Sequence, residues 1–180
     1  MILSFKECVT KYGNQYQIEN RINSGELYKI EPGIYALSPD VPEEAVLAKK
    51  YPKAVFAGDY AFYYHELTDV IPDGFTLATS AGSQKIAEAD VTQLFIRQDL
   101  LYLGAAETDI KGYKIMMYDR ERMLIELLRF KHRMPYDYYK EILSNYRQII
   151  TELQIWRIQE YAAAFPKSGL ICRALAEEVF

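Results

Sequence analysis

Two short stretches near the start of the chain carry apolar residues at helical spacing, and each is opened by a residue able to cap a helix. Ser4 is followed by Glu7, and Asn14 by Gln17. A capping side chain with Glu or Gln at the third helical position satisfies orphan backbone donors in both directions, so two capping boxes are expected. Gly13 and Gly25 stand where the helices should stop. In the second helix Ile18 and Ile22 share one face at about 100° per residue, while Tyr16, Gln17, Asn20, Asn23 and Ser24 project from the other. That second face is hydrogen-bonding rather than charged. Leu27–Ile30 then alternates, Glu31-Pro32-Gly33 forms a three-residue turn, and Ile34–Leu37 returns, predicting a β-hairpin.

Two capped helices followed by a hairpin are the outline of a winged helix-turn-helix, over residues 1–38, and that outline points to DNA. Residues 14–24 would be the recognition helix. Its amides suit the donor and acceptor pair on adenine in the major groove, which makes Asn14, Tyr16, Gln17 and Asn20 candidate contacts. Arg21, and Lys29 at the wing, are better suited to phosphates.

The prolines of Ser38–Pro42 mark a linker, and residues 39–180 read as a second, α+β domain. Glu43 opens a helix ended by Pro52, AVFA is a strand before Gly58, and a helix follows Asp59. Further strands are expected at 75–79, 91–97, 101–105 and 113–118, enough for one small mixed sheet. From Asp119 the pattern turns helical, at 120–132, 135–146, 150–164 and 168–179, with Pro135 as a first helical residue and Pro166 as a break. Along 120–132, Met123, Leu124, Leu127 and Leu128 form an apolar stripe, and Arg122 and Glu126 are spaced for an i,i+4 pair on the exposed side. The expected fold class is α+β: an N-terminal winged helix-turn-helix, a small mixed sheet and a helical C-terminal end.

The net charge of −4 argues against a protein that coats nucleic acid nonspecifically. Residues 1–37 are themselves neutral, with Lys6, Lys11, Arg21 and Lys29 against Glu7, Glu19, Glu26 and Glu31. A stronger cationic signal is the run Arg120, Arg122, Arg129, Lys131 and Arg133 against Glu121 and Glu126, a possible nucleic-acid patch. Sixteen tyrosines are unusual but decide nothing alone. Cys8 and Cys172 form no metal-ligand spacing and are expected as reduced core thiols. With no basic-then-apolar leader and no run of 18 apolar residues, a cytoplasmic protein is expected.

Catalytic signals are weak. His65, on an apolar helix beside Tyr63 and Tyr64, reads as a histidine held by a local hydrogen bond. Pro72-Asp73 with Asp109-Ile110-Lys111 superficially matches a magnesium nuclease pattern, yet both aspartates fall in turn-like sequence rather than on adjacent strands. Neither GxxxxGK nor GxGxxG is present. No catalytic residue, metal or cofactor is expected, and the chain reads as non-enzymatic.

Three segments in order resemble the AbiEi-type antitoxins, the transcriptional regulators of type IV toxin-antitoxin and abortive-infection (phage defence) systems. They are the start ending in ELYKIEPGIYAL, the stretch YPKAVFAGDYAFYYHELTDVIPDGFTLAT, and the helix DRERMLIELLRFKHR. The resemblance implies an N-terminal domain that represses its own operon through operator DNA. It also implies a C-terminal domain that counters a nucleotidyltransferase-like toxin, with direct contact not required. The chain departs from the pattern at Glu66, and any leading helix before the winged module is abbreviated. The competing reading is a protein-interaction module whose winged helix does not bind DNA.

Overall fold

A computed structural model describes residues 1–180 and divides them into two compact units: Met1–Lys53 with Glu107–Ile115, and Ala54–Ala106 with Met116–Phe180.

The N-terminal unit runs β1 (Ile2–Ser4), α1 (Phe5–Tyr12), α2 (Gln15–Asn23), β2 (Tyr28–Glu31), β3 (Ile34–Ala36) and α3 (Glu43–Lys50). Its sheet is antiparallel in the order β1-β3-β2. Strand β1 has too few residues to show alternation, so sequence reading began instead at the Ser4 cap; pairing Leu3 with Tyr35 makes the hairpin a three-stranded sheet. The turn is two residues, Pro32-Gly33, rather than three, because Glu31 still pairs with Ile34 and the slack is taken up by a bulge between Lys29 and Glu31. Leu3, Cys8, Ile18, Leu27 and Tyr35 form the core, with Tyr12 and Ile22 packed against it.

Helix α1 carries the full capping box: Ser4 Oγ accepts from Glu7 N–H, and Ser4 N–H donates to the Glu7 carboxylate at 2.6 Å. At Asn14 only half of the expected box forms. Asn14 Oδ1 accepts from Gln17 N–H at 3.1 Å, but the Gln17 amide lies back over the turn, close enough that a Cβ on Gly13 would meet its Oε1 at 2.6 Å. Helix α2 ends in a Schellman motif. Glu26 N–H reaches Arg21 O and Gly25 N–H reaches Ile22 O, with Gly25 at φ +75°.

Helix α3 packs on β1 and β3, and Lys49 and Lys50 on it pair with Glu7 and Glu31. Lys49, followed by the Ser4 backbone and hydroxyl, holds the Glu7 carboxyl at about 2, well below the usual carboxylate range. A depressed folded pKa adds stability above the unfolded value, and that stability fades as pH falls toward about 2. Because Glu7 is about half exposed, screening keeps the effect small. Glu7→Gln should cost at most about 1 kcal/mol at neutral pH. Denaturation of both proteins between pH 7 and 2 should show the difference shrinking below about pH 4.5; a constant difference would refute the ionic account.

The larger unit contains β4 (Val55–Ala57), α4 (Gly58–Tyr64), β5 (Phe75–Ser80) and β6 (Val91–Ile96). Then come the hairpin β7 (Ala105–Ile110) and β8 (Tyr113–Tyr118), whose tip groups with the N-terminal unit, and the helices α5 (Arg120–Phe130), α6 (Tyr136–Gln148), α7 (Ile155–Ala164) and α8 (Ser168–Ala174). The sheet order is β6-β5-β4-β8-β7, mixed as expected, with β4 antiparallel to β5 while β5/β6 and β4/β8 are parallel. A parallel pair needs a crossover, and the loop between β5 and β6 is held by one side chain. Gln93 accepts from Ile86 N–H and donates to Gln84 O and Thr79 Oγ1.

The strand expected at 101–105 is a run of turns, and β7 begins only at Ala105. Leu100 and Leu101 are apolar because they are buried. Carbonyls of Leu100, Leu101 and Leu103 accept from Arg122 and the Tyr118 hydroxyl instead of from a neighbouring strand. Pro135 caps α6 instead of opening it, and the helix expected over 150–164 is a 3-10 turn at Ile150–Glu152 followed by α7. The last helix divides into α8 and a π-helical turn at Leu175–Val179. Cys8 is buried, but Cys172 is exposed, contrary to its reading as a core thiol.

Candidate nucleic-acid interface

Burial of Ile18, with Ile22 partly buried beside it, orients α2. At 100° per residue the outward centre of the helix is Asn20, flanked by Tyr16, Asn23 and Ser24. All four are exposed, Tyr16 to 70%. Asn14 and Gln17 sit at the α1–α2 turn, the first spent on the cap and the second folded over Gly13. Sequence reading assigned Gln17 to the outward face; the structure moves it to the rim, because at the third helical position its amide can reach back over a residue without a Cβ.

The charged residues of α2 lie on its flanks and have partners. Arg21 pairs with Glu26 and stacks 4.7 Å from the Tyr12 ring centroid, and Glu19 accepts from the Gln15 amide at 2.8 Å. Lys6, Lys11 and Lys29 are exposed and make no ion pair, although Lys11 lies 5.2 Å from the Tyr12 ring centroid. The N-terminal unit thus presents a neutral, hydrogen-bonding helix face together with three cations open to an external anion. Cys8 has no part in this chemistry, since burial pushes its thiol above the usual range.

The basic run of the larger unit is mostly engaged internally. Arg122, expected on the exposed side of its helix, is completely buried. It does pair with Glu126, with Nε at 2.9 Å, but on the inside, while its guanidinium stacks 4.4 Å from the Tyr118 ring and 4.5 Å from Phe165. The i,i+4 spacing was legible; the face was not, because α5 is buried along nearly its whole circumference. Arg129 pairs with the same Glu126 and stacks on Phe165, Lys131 pairs with Glu178, and Arg120 with the exposed Glu152. Arg133 makes no ion pair and lies over the Phe130 ring. The five-residue patch therefore reduces to Arg133, with Arg120 available where an external anion displaces Glu152.

His65 is anchored on a backbone carbonyl. Its Nε2 lies 2.7 Å from Tyr118 O, a partner 53 residues away rather than a local one, and burial pulls its pKa down. Asp109, expected in a turn, lies on β7 and caps the hairpin by accepting from Gly112 N–H at 2.9 Å. Asp73 lines a cavity of about 300 Å³ with Asp59, Asp90, Thr76 and Thr92. No group of three or more His, Cys, Asp or Glu is arranged to hold a metal ion, and no helix is long and apolar enough to cross a membrane.

No family model matches the chain, and no curated protein matches it. Among solved structures it is similar to the crystal structure of the RV2827C protein from Mycobacterium tuberculosis, over 98% of this chain and 71% of that one, with a TM-score of 0.61 and 14% sequence identity. Likeness at that identity concerns the fold. The chain has an α+β fold with N-terminal helices, a mixed β-sheet and C-terminal helices, of a winged-helix-like architecture.

Proposed function

We propose that this chain is a DNA-binding transcriptional regulator of the AbiEi antitoxin type, which represses its own operon and opposes a nucleotidyltransferase-like toxin without catalysing a reaction itself. The observation that carries the reading is the outward face of α2: solvent-exposed, hydrogen-bonding and presented by a helix-turn-helix, with Lys6, Lys11 and Lys29 unpaired in the same unit. Amide and phenol groups can read base edges, while lysines neutralise phosphates. The α2 face is the reader, Lys29 is the wing contact, and Arg21 turns to phosphate only by releasing Glu26.

Gel shifts against the DNA upstream of the gene, with an unrelated duplex as competitor, test this. Specific binding is expected, and its logarithm should fall linearly with that of salt concentration. Lys6→Ala, Lys11→Ala and Lys29→Ala should each lower that slope by about one phosphate contact. Upstream DNA bound no better than the competitor at any salt would overturn the reading. It would favour a protein-interaction module, for which exposed Phe5 and Val9, one turn apart on α1, are the supporting feature.

A further inference from the structure

We infer that the α2 face selects A·T over G·C base pairs in a duplex target. This inference rests on the DNA-binding reading and adds the class of sequence recognised.

Guanine presents two acceptors in the major groove and is read by Arg or Lys; cytosine presents a donor and is read by a carboxylate; adenine presents a donor beside an acceptor and is read by Asn or Gln. Helix α2 has one residue for each of the first two roles, and both are occupied. Arg21 is held on the flank by Glu26 and the Tyr12 ring, and Glu19 is held by Gln15. Gln17 is turned back over Gly13. What remains on the outward stripe is Asn20 and Asn23, both exposed and with no side-chain hydrogen bond, and the 70% exposed ring of Tyr16 one turn before Asn20. Asparagine can bond adenine N6 and N7 at once, and an aromatic ring offers an apolar surface for the thymine methyl. The Ser24 hydroxyl is spent on Arg21 O, so every free side chain on the stripe suits an A·T pair, and none supplies the paired donors that guanine requires.

The test is selection of bound sequences from a randomised duplex library by the full-length protein, followed by 7-deazaadenine substitution in the selected site. A·T pairs should dominate the contacted positions. Removing N7 from the adenine read by Asn20 should weaken binding by about tenfold in the native protein and hardly at all in Asn20→Ala. Asn20→Arg should shift preference at that position toward guanine. Asn20 is exposed, so both variants should keep the native circular dichroism. A selected motif with G·C at the contacted positions overturns the A·T assignment while DNA binding stands, and a deaza effect that persists in Asn20→Ala overturns Asn20 as the adenine reader. A library from which nothing is enriched overturns the DNA-binding reading along with it.

Discussion

Arg122→Ala should destabilise the protein by about 3–5 kcal/mol, the range for breaking a buried ion pair from one side. Arg122 is wholly buried and serves two roles at once. Its guanidinium neutralises Glu126, itself 5% exposed, and its Nη1 donates to Leu100 O and Leu103 O at 3.0 and 2.8 Å. Alanine would leave Leu103 O without its donor, and Leu100 O with only the 3.3 Å bond from Leu103 N–H, in a region that is not a strand and has no ladder to supply more. It would also remove the cation between the Tyr118 and Phe165 rings. Arg129 would still face Glu126 at 2.8 Å, which keeps the loss from being larger. In thermal denaturation the melting temperature should drop by on the order of 10 °C. Arg122→Met with Glu126→Leu, which removes both charges and keeps volume, should recover a good part of it. If Arg122→Ala melted within about 2 °C of the native protein, the turns at 98–104 would not depend on this side chain.

Ile18→Ala should cost about 2–5 kcal/mol, as large-to-alanine core changes do. Its effect would fall on α2, the helix proposed to read DNA. Ile18 is 1% exposed and shares the small core of Leu3, Cys8, Leu27 and Tyr35. It is the fully buried residue of α2 and sets which residues that helix turns outward. A core of this size has little reserve, because small units bury a low fraction of their surface. Amide hydrogen exchange across α1 and α2 should accelerate strongly, and DNA affinity should fall with the folded fraction. Ile18→Val, costing about 0.5–1.5 kcal/mol, should preserve both. Native-like protection of α2 in Ile18→Ala would show that Ile22 and the caps orient the helix without it.

The local signals in this chain were strong where one residue does one local task. Ser4 and Asn14 each cap the helix that follows, and each can be recognised from a few neighbours. Gly25 closes α2 for a similarly local reason, its positive φ. Ile18 and Ile22 gave the orientation of α2 from spacing alone, and with it the outward position of Tyr16 and Asn20. The departures at residues 100–101 and at β1 have non-local causes. Leu100 and Leu101 look like a strand because burial and β-pairing select the same apolar residues, whereas their carbonyls are claimed by Arg122 and Tyr118 from 17 to 22 residues away. Strand β1 was too short to alternate and exists because β3 is there to pair with it.

Charge was the least legible quantity. The sequence shows five basic residues between 120 and 133 but cannot show that Glu178 reaches Lys131, Glu152 reaches Arg120, or that α5 is buried on nearly every side so that Arg122 points inward. A charged residue's availability depends on which distant carboxylate comes within a few ångströms, since pairing strength falls with distance and rises with burial. From the sequence alone came the capped helices, the hairpin, the α+β order of elements and the uncharged outward face of α2, because each follows from backbone hydrogen bonding and periodicity within a dozen residues. Only the tertiary structure decided which cations of residues 1–37 and of the run 120–133 stay without a carboxylate partner, Lys6, Lys11, Lys29 and Arg133, and which are spent on holding the chain together, because that depends on partners brought close by folding.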